Sequence, residues 1–265
     1  MKQFNATVFV AMLFAAMATA ATAPAVHAQK WKEIRIGVEG AYPPFSSITE
    51  SGQLVGFDID IAWELCKTIG AECALVPQDW DGIIPALLAR KYDAIIASMS
   101  ITEERKKKVA FSNKYYHTPA RFVRKKGSGV SISKAGLAGK SVGVQRATTH
   151  DNFITGEFGD TVTVKRYGTQ DEAYLDLVAG RVDLLIADSV AIDDGFLSTD
   201  QGAGFEFVGP SYTDPKYFGE GAGVAIRKRD ADLVALFNDA IRTIRANGRY
   251  KTINDKYFDF DIYGE

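Results

Sequence analysis

Apolar positions change period in a regular order along the chain. EIRIGV (residues 33–38) alternates polar and apolar side chains, which predicts a strand. FDIDIAWELCKTIG (57–70) sets Ile61, Leu65 and Ile69 on one helical face, with Ala62 and Cys66 beside them, and Gly70 is a natural helix end. ECALVP (72–77) predicts a second strand. DGIIPALLARK (81–91) predicts a helix that tolerates Pro85 because a proline in the first turn gives up no helical hydrogen bond. YDAIIAS (92–98) predicts a third strand. The order βαβαβ implies parallel strands joined by right-handed crossovers.

The pattern then restarts. KSVGVQR (140–146), DTVTVKRY (160–167) and RVDLLIADS (181–189) read as strands, with helices over HDNFITGEF (150–158) and QDEAYLDLVAG (170–180). Aligning Asp93 with Asp183 matches Leu87 with Leu177 and Ala89 with Ala179, and the apolar runs that follow coincide. Two copies indicate two similar α/β units and not a solenoid. The shared aspartate speaks for architecture, as a cap at the strand entry. Between the units, YYHTPARFVRKKGSGVS (115–131) carries Gly, Pro and Ser punctuation. After the second unit, FVGPSYTDPKYFGEGAGVAIRK (207–228) reads as a crossing segment and then a strand. DADLVALFNDAIRTIRANG (230–248) is an amphipathic helix with Leu233, Leu236, Phe237, Ile241 and Ile244 at helical spacing, and RYKTINDKYFDF (249–260) is a helical tail. The expected organisation is a discontinuous first lobe (29–117 and 219–265) and a second lobe (118–218) with hinge segments at its ends.

Composition narrows the class. Lys2, the apolar run ATVFVAMLFAAMATAA and the small-residue pattern VHA before Gln29 predict a secretory signal cleaved after Ala28, and hence a periplasmic location. An uncleaved anchor is the plainer alternative; a lipid anchor is disfavoured because no cysteine lies near the cleavage site. Past residue 28 the chain holds 30 basic and 33 acidic residues, a net charge of −3, which argues against a nucleic-acid partner. No later segment is long and apolar enough to span a bilayer. The two cysteines, Cys66 and Cys73, suit a disulfide in an oxidising compartment. Two buried thiols or a metal site are the alternatives, although no further Cys or His lies close by in sequence.

Ligands of open parallel sheets bind beyond the carboxyl ends of the strands. That rule selects Glu39 and Tyr42 after the first strand, Trp80 after the second, and Ser98, Ser100 and Thr102 after the third. In the second unit it selects QRATTHD and Asp188. Thr102 is a good N-cap for EERKKKVAF, and the first-turn N–H groups there suit an anion. Arg105 adds a fork that matches a carboxylate, or else it pairs with Glu103, Glu104 or solvent. Asp188 emerges from an apolar strand and needs a cationic partner: a ligand ammonium, or Arg181 or Lys165. Glu39 holds a second ligand cation or caps a loop. Tyr42 and Trp80 offer stacking faces, although lone loop aromatics more often belong to the core. His117 and His150 carry little signal, and neither a Ser-His-Asp nor a metal-ligand spacing stands out.

Taken together, IRIGVEGAYPPFSS, LVGFDIDIAWELCK, DWDGIIPALLARKYDAIIASMSITEERKKKVAFS, GLAGKSVGVQ, LVAGRVDLLIAD, KYFGEGAGVAIRK and KYFDFDIYGE are specific. Across nearly the whole chain past the signal, the sequence resembles the periplasmic substrate-binding proteins of ABC importers for polar and basic amino acids. The closest resemblance is to the lysine/arginine/ornithine and histidine binding proteins of solute-binding protein family 3. The resemblance implies a two-lobed α/β fold of the Venus-flytrap kind, each lobe a mainly parallel sheet flanked by helices, with two hinge crossings. It also implies a monomer that delivers a cationic L-amino acid to an inner-membrane ABC permease, with no catalysis, cofactor or metal, and a disulfide between Cys66 and Cys73.

Carried onto this chain, the family's pattern has Arg105 bind the α-carboxylate with Ser98, Ser100 and the region of Thr149. Asp188 binds the α-ammonium, Tyr42 and Trp80 sandwich the side chain, and Glu39 meets its distal charge. Gln145, Thr148 and His150 belong to the same loop and are weaker members of the set. Three departures leave the choice among arginine, lysine, ornithine, histidine and a guanidinium-bearing opine open. Ala97 replaces a serine and keeps at best a backbone contact, QRATTH replaces a more glycine-rich loop, and His150 stands where relatives place a polar amide. Two other readings share the fold. A cyclohexadienyl-dehydratase-like enzyme would use Glu39 as general acid, and a sensor module would use the same pocket.

Overall fold

The computed structural model describes residues 30–264, so the predicted signal segment and its cleavage point lie outside the described residues. The first lobe opens with β1 (Glu33–Val38) and a small antiparallel sheet of β2 (Ala41–Tyr42), β3 (Ser46–Ile48) and β4 (Leu54–Val55). It continues through α1 (Phe57–Ile69), β5 (Glu72–Pro77), α2 (Ile83–Leu88), β6 (Ala94–Ile95), α3 (Glu103–Lys106) and β7 (Ala110–Tyr116). The second lobe holds β8 (Ala120–Lys125), α4 (Lys134–Leu137), β9 (Ser141–Gln145), α5 (Thr149–Phe158), β10 (Thr163–Tyr167) and α6 (Gln170–Val178). It then runs through β11 (Leu184–Asp188), α7 (Ser189–Ile192), β12 (Phe205–Tyr212) and α8 (Pro215–Phe218). The chain returns to the first lobe as β13 (Ala222–Ile226), α9 (Ala231–Ala246) and α10 (Arg249–Tyr257).

Each lobe has one five-stranded mixed sheet, in the orders β5-β1-β6-β13-β7 and β10-β9-β11-β8-β12. The first three strands of each order are the parallel βαβαβ unit read from the sequence. The other two strands are antiparallel and come from the segments around the crossings. The sequence echo is a matched pair of carboxylate clasps. Asp93 accepts from the Arg35 N–H at 3.2 Å and donates its own N–H to the Arg35 carbonyl at 2.8 Å. Asp183 repeats both bonds with Ser141 at 2.8 and 2.9 Å. Each aspartate thus closes the open end of a parallel ladder. Asp93 also takes the buried Arg227 guanidinium at 2.9 Å, which neutralises a charge that would otherwise be costly to bury.

Amphipathic spacing decides what is buried. Ile61, Ala62, Leu65 and Cys66 of α1 and Leu233, Phe237, Ile241 and Ile244 of α9 enter one core, while Leu236 and Ile69 pack at its edge. Gly70 ends α1 in the left-handed conformation, as read from sequence. Cys66 and Cys73 are joined, tying the last turn of α1 to β5 across a Cα–Cα distance of 6.1 Å. Two elements are shorter than their patterns. α2 stops at Leu88 and is preceded by a 3-10 turn over Trp80–Gly82. The third strand spans only Ala94–Ile95, because Ser98 turns the chain with φ of 52°, in the left-handed region.

The lobes are linked by two crossings, between β7 and β8 and between β12 and β13. The second depends on glycines. A Cβ at Gly219 (φ 72°) would sit 2.1 Å from the Ile101 carbonyl oxygen, and one at Gly221 (φ 105°) 2.6 Å from that of Tyr116. The tail closes on the first crossing: the His117 N–H donates to the Ile262 carbonyl at 3.0 Å, and Asn254 Oδ1 accepts from the Ile262 N–H at 3.0 Å. Among the described residues no helix is long and apolar enough to cross a membrane.

Candidate functional site

The carboxyl ends of both sets of parallel strands face one cleft. Parallel βα units explain this convergence, since each strand delivers its last residues to the same edge. From the first lobe come Glu39 after β1, Tyr42 on β2, Trp80 after β5, Ala97, Ser98 and Ser100 after β6, and Arg105 on α3. From the second come Gln145 at the end of β9, Thr148, Thr149 and His150 at the start of α5, and Asp188 at the end of β11. All twelve residues that the resemblance assigned to the site therefore line one cavity, whereas Thr102, which the strand-end rule also selected, does not. Residues of the crossings also line it: Tyr116, His117, Thr118 and Ala120 in the first, Phe218, Gly221 and Ala222 in the second. Punctuation had marked those segments only as linkers, and nothing in their local pattern says that they floor a cleft.

The electrostatics follow from burial. The Glu39 carboxyl is pushed up to about 8 by desolvation, against the hydrogen bond that the Gln145 amide donates to it; Asp171, Asp58 and Asp79 push it further up. Asp188 is pushed up to about 6 by burial, although it accepts from the Thr118 hydroxyl and from the N–H groups of Val190 (2.8 Å) and Ala191 (3.3 Å). The two cations that could have paired with it are engaged elsewhere: Arg181 bonds Asp176, and Lys165 Nζ donates to the Arg181 carbonyl at 2.6 Å. Arg105 is pushed down to about 10 by burial. Its Nη1 donates to the Ser100 carbonyl at 3.0 Å, and its guanidinium lies 5.2 Å from the Trp80 ring centroid. Glu103 instead pairs with Lys106 at 2.9 Å, and Glu104 accepts from Asn152. Thr102 caps α3 as read from sequence, accepting from the Arg105 N–H at 3.3 Å. His150 is driven down to about 3 by burial and by Arg105, so it is neutral. The cleft wall thus carries two carboxylates and one guanidinium.

Behind this wall lies a residue that sequence reasoning missed. Asp58, buried in the first turn of α1, accepts from the Ser98 hydroxyl at 2.9 Å and the Tyr115 hydroxyl at 2.8 Å, and the Ser98 N–H donates to Tyr115 at 3.1 Å. This network holds Ser98 in its left-handed turn. In sequence Asp58 looked like one more first-turn acid of an amphipathic helix.

The cleft is shut by contacts between the lobes. Gln145 donates to Glu39, Arg146 forms an ion pair with Asp81, Trp80 Nε1 donates to the Ala147 carbonyl at 3.1 Å, and Asn152 donates to Glu104 at 3.3 Å. Arg146 of the QRATTH loop therefore points across the cleft mouth.

Residues 34–260 match the model of the bacterial extracellular solute-binding proteins, family 3. The chain is 56% identical over 234 residues to the L-arginine-binding protein of Pseudomonas aeruginosa, covering 88% of this chain and 90% of that protein. It is 43% identical over 245 residues to the lysine/arginine/ornithine-binding periplasmic protein of Escherichia coli, covering 92% and 94%. Among solved structures, an ancestral arginine-binding protein bound to arginine superposes with a TM-score of 0.79 at 38% identity, covering 86% of this chain and 98% of the other. With a family model spanning nearly all of the described fold and relatives matched over 90% or more of their length, the chain belongs to the bacterial extracellular solute-binding proteins of family 3.

Proposed function

We propose that this protein captures a cationic L-amino acid between its lobes in the periplasm and delivers it to an inner-membrane ABC permease. One observation carries the reading. Glu39 and Asp188 are carboxyl groups of the cleft whose ionisation desolvation disfavours, and Arg105 is the one guanidinium among the described residues that line it. A ligand with two cationic groups and one carboxylate neutralises all three, and a neutral amino acid leaves one protein carboxylate unpaired. Arg105, with Ser98, Ser100 and Thr149, takes the α-carboxylate; Asp188 takes the α-ammonium. Tyr42 and Trp80 flank the side chain, and Glu39 meets its far end. Thr148 and His150 shape the α5 side of the cleft, and Ala97 offers only backbone and a methyl group. The lobes meet at residues 117/118 and 218/219, the protein acts as a monomer after removal of residues 1–28, and it binds without turning its ligand over. The names of its relatives, which bind arginine, lysine, ornithine or histidine, support the same class.

Isothermal titration of the ligand-stripped mature protein with arginine, lysine, ornithine, histidine and glutamine tests this. Saturable one-to-one binding of a cationic amino acid, with glutamine weak, is the expected result. Silence for all five, tightest binding of glutamine, or turnover of a cyclohexadienyl acid would overturn it.

A further inference from the structure

The QRATTH loop between β9 and α5 contains a residue with a backbone conformation that its side chain disfavours. Ala147 has φ of 58°, in the left-handed region where a Cβ crowds the backbone and glycine is the usual occupant. Its carbonyl accepts from Trp80 Nε1 of the other lobe at 3.1 Å. One residue later Thr148 caps α5, accepting from the Asp151 N–H at 3.2 Å and donating its hydroxyl to the Gln145 carbonyl at 2.7 Å. Thr149 and His150 follow into the cleft. The conformation of this one alanine therefore sets where the amino end of α5 lies and where the Ala147 carbonyl points. A strained residue persists only where its surroundings over-determine it. Here the hold comes from residues that do not line the cleft. Asp151 is 8% exposed, and its Oδ2 accepts from the Ala147 N–H at 3.2 Å. Arg166, on the edge strand β10, donates from Nε to both Asp151 oxygens at 2.9 and 3.0 Å, and from Nη2 to the Thr155 hydroxyl at 2.7 Å. That hydroxyl in turn donates to Asp151 Oδ1 at 3.1 Å. The carboxylate is thus fixed by its own helix and by the neighbouring strand, with one oxygen aimed at Ala147.

We propose that Asp151 and Arg166 are positioning residues for ligand binding: the pair holds Ala147 in its left-handed turn, so that the acceptor for Trp80 and the amino end of α5 are set before the lobes close on a ligand. This rests on the cationic-amino-acid reading above and deepens it. Without Arg166, Asp151 is a buried carboxylate without its cation and turns toward water. The Ala147 N–H then loses its acceptor, and the alanine relaxes out of the left-handed region. Closure on the ligand has to re-form the strained turn, and the cost of doing so is taken from the affinity. Glycine meets no steric penalty at positive φ, so a glycine at this position does not need the clasp.

The test is a double-mutant cycle read as L-arginine affinity in titration calorimetry, for the wild type, Arg166→Met, Ala147→Gly and the two substitutions combined, each first shown to be folded by its thermal transition. Arg166→Met is expected to weaken L-arginine binding about fivefold or more in the wild-type background, and about twofold or less in the Ala147→Gly background, where no strain needs holding. A pair that served only the fold would give the same loss in both backgrounds. Arg166→Gln takes the place of Arg166→Met if the latter does not fold. Equal losses in the two backgrounds, or an affinity within about twofold of wild type when Arg166 alone is replaced, overturns the positioning role and leaves the broader function intact. A wild type that binds no cationic amino acid overturns both.

Discussion

If Glu39 pairs with the ligand's distal cation, as proposed, ligand affinity should depend on pH in a window set by the cleft. Burial holds its carboxyl at about 8, against an ordinary value of 4.5. The neutral form is therefore favoured in the empty closed cleft, and a ligand cation must drive a proton off to pair with the carboxylate. Affinity accordingly falls as pH drops below about 8 and levels off above it; Asp188, at about 6, adds to the fall at the lower end. The displacement from 4.5 to about 8 corresponds to roughly 5 kcal/mol for ionising the empty cleft. Water at the mouth and hydration of the open form remove part of this, and about half carried into binding is roughly 2–3 kcal/mol, or thirty- to a hundredfold between pH 8 and pH 5.5. Titration with L-arginine across that range, in two buffers of different ionisation enthalpy, gives the affinity and the number of protons released. About one proton should leave near pH 7, and Glu39→Gln should release about none and flatten the profile. A wild-type Kd constant within about twofold over the range, without buffer-dependent heat, refutes the reasoning. The stability of the ligand-free protein runs in the opposite direction. A raised folded pKa stabilises the protein fully below 4.5 and loses that contribution as pH rises through 8. The increase in Tm caused by L-arginine should therefore widen from pH 5 to pH 8.

If Arg105 and Asp188 hold the ligand's α-carboxylate and α-ammonium, as proposed, removing either leaves an opposite ligand charge buried and unpaired, so Arg105→Ala and Asp188→Ala should each weaken arginine binding by about 2–5 kcal/mol, thirtyfold or more in calorimetry; near-normal affinity in either would refute the assigned role. Arg146→Ala removes the ion pair with Asp81 at the cleft mouth. Being half-exposed, the pair should contribute about 0.5–1 kcal/mol to closure, so the variant should lose affinity two- to fivefold, mostly through faster release in stopped-flow, with the loss shrinking at high salt. Replacing Cys66 and Cys73 by serine opens a short loop and should cost about 2 kcal/mol, a drop in Tm of roughly 5 °C that calorimetry detects, with arginine affinity unchanged.

The parallel half of each lobe was legible because period-two and period-3.6 runs alternate cleanly there, and the topology rule for such units then pointed at the strand ends that meet in the cleft. Thr102 as an N-cap and Gly70 as a helix end were legible because they act through their own neighbours. What stayed hidden depends on partners distant in sequence. The antiparallel strands β7, β8, β12 and β13 arise in linker-like segments, and only the return of the chain gives them neighbours. The third strand was overestimated because an apolar run continues past Ile95 while Ser98 turns the backbone under the hold of Asp58 and Tyr115. Arg146 could be read as a charge and not as a direction, since Asp81 stands 65 positions away.

The stitching of the carboxyl-terminal segment to the first crossing has a practical corollary. Ile262 shares one hydrogen bond with His117 at the crossing and another with Asn254 in the last helix. The carboxyl-terminal segment is thus bonded directly to one of the two crossings that link the lobes. A fluorophore attached behind Tyr263 should report any change at that crossing without being inserted into either lobe, and a ligand-dependent change in its signal would tie the crossing to binding. A bulky affinity tag at the same place would press on that crossing, so a purification handle is better placed away from it.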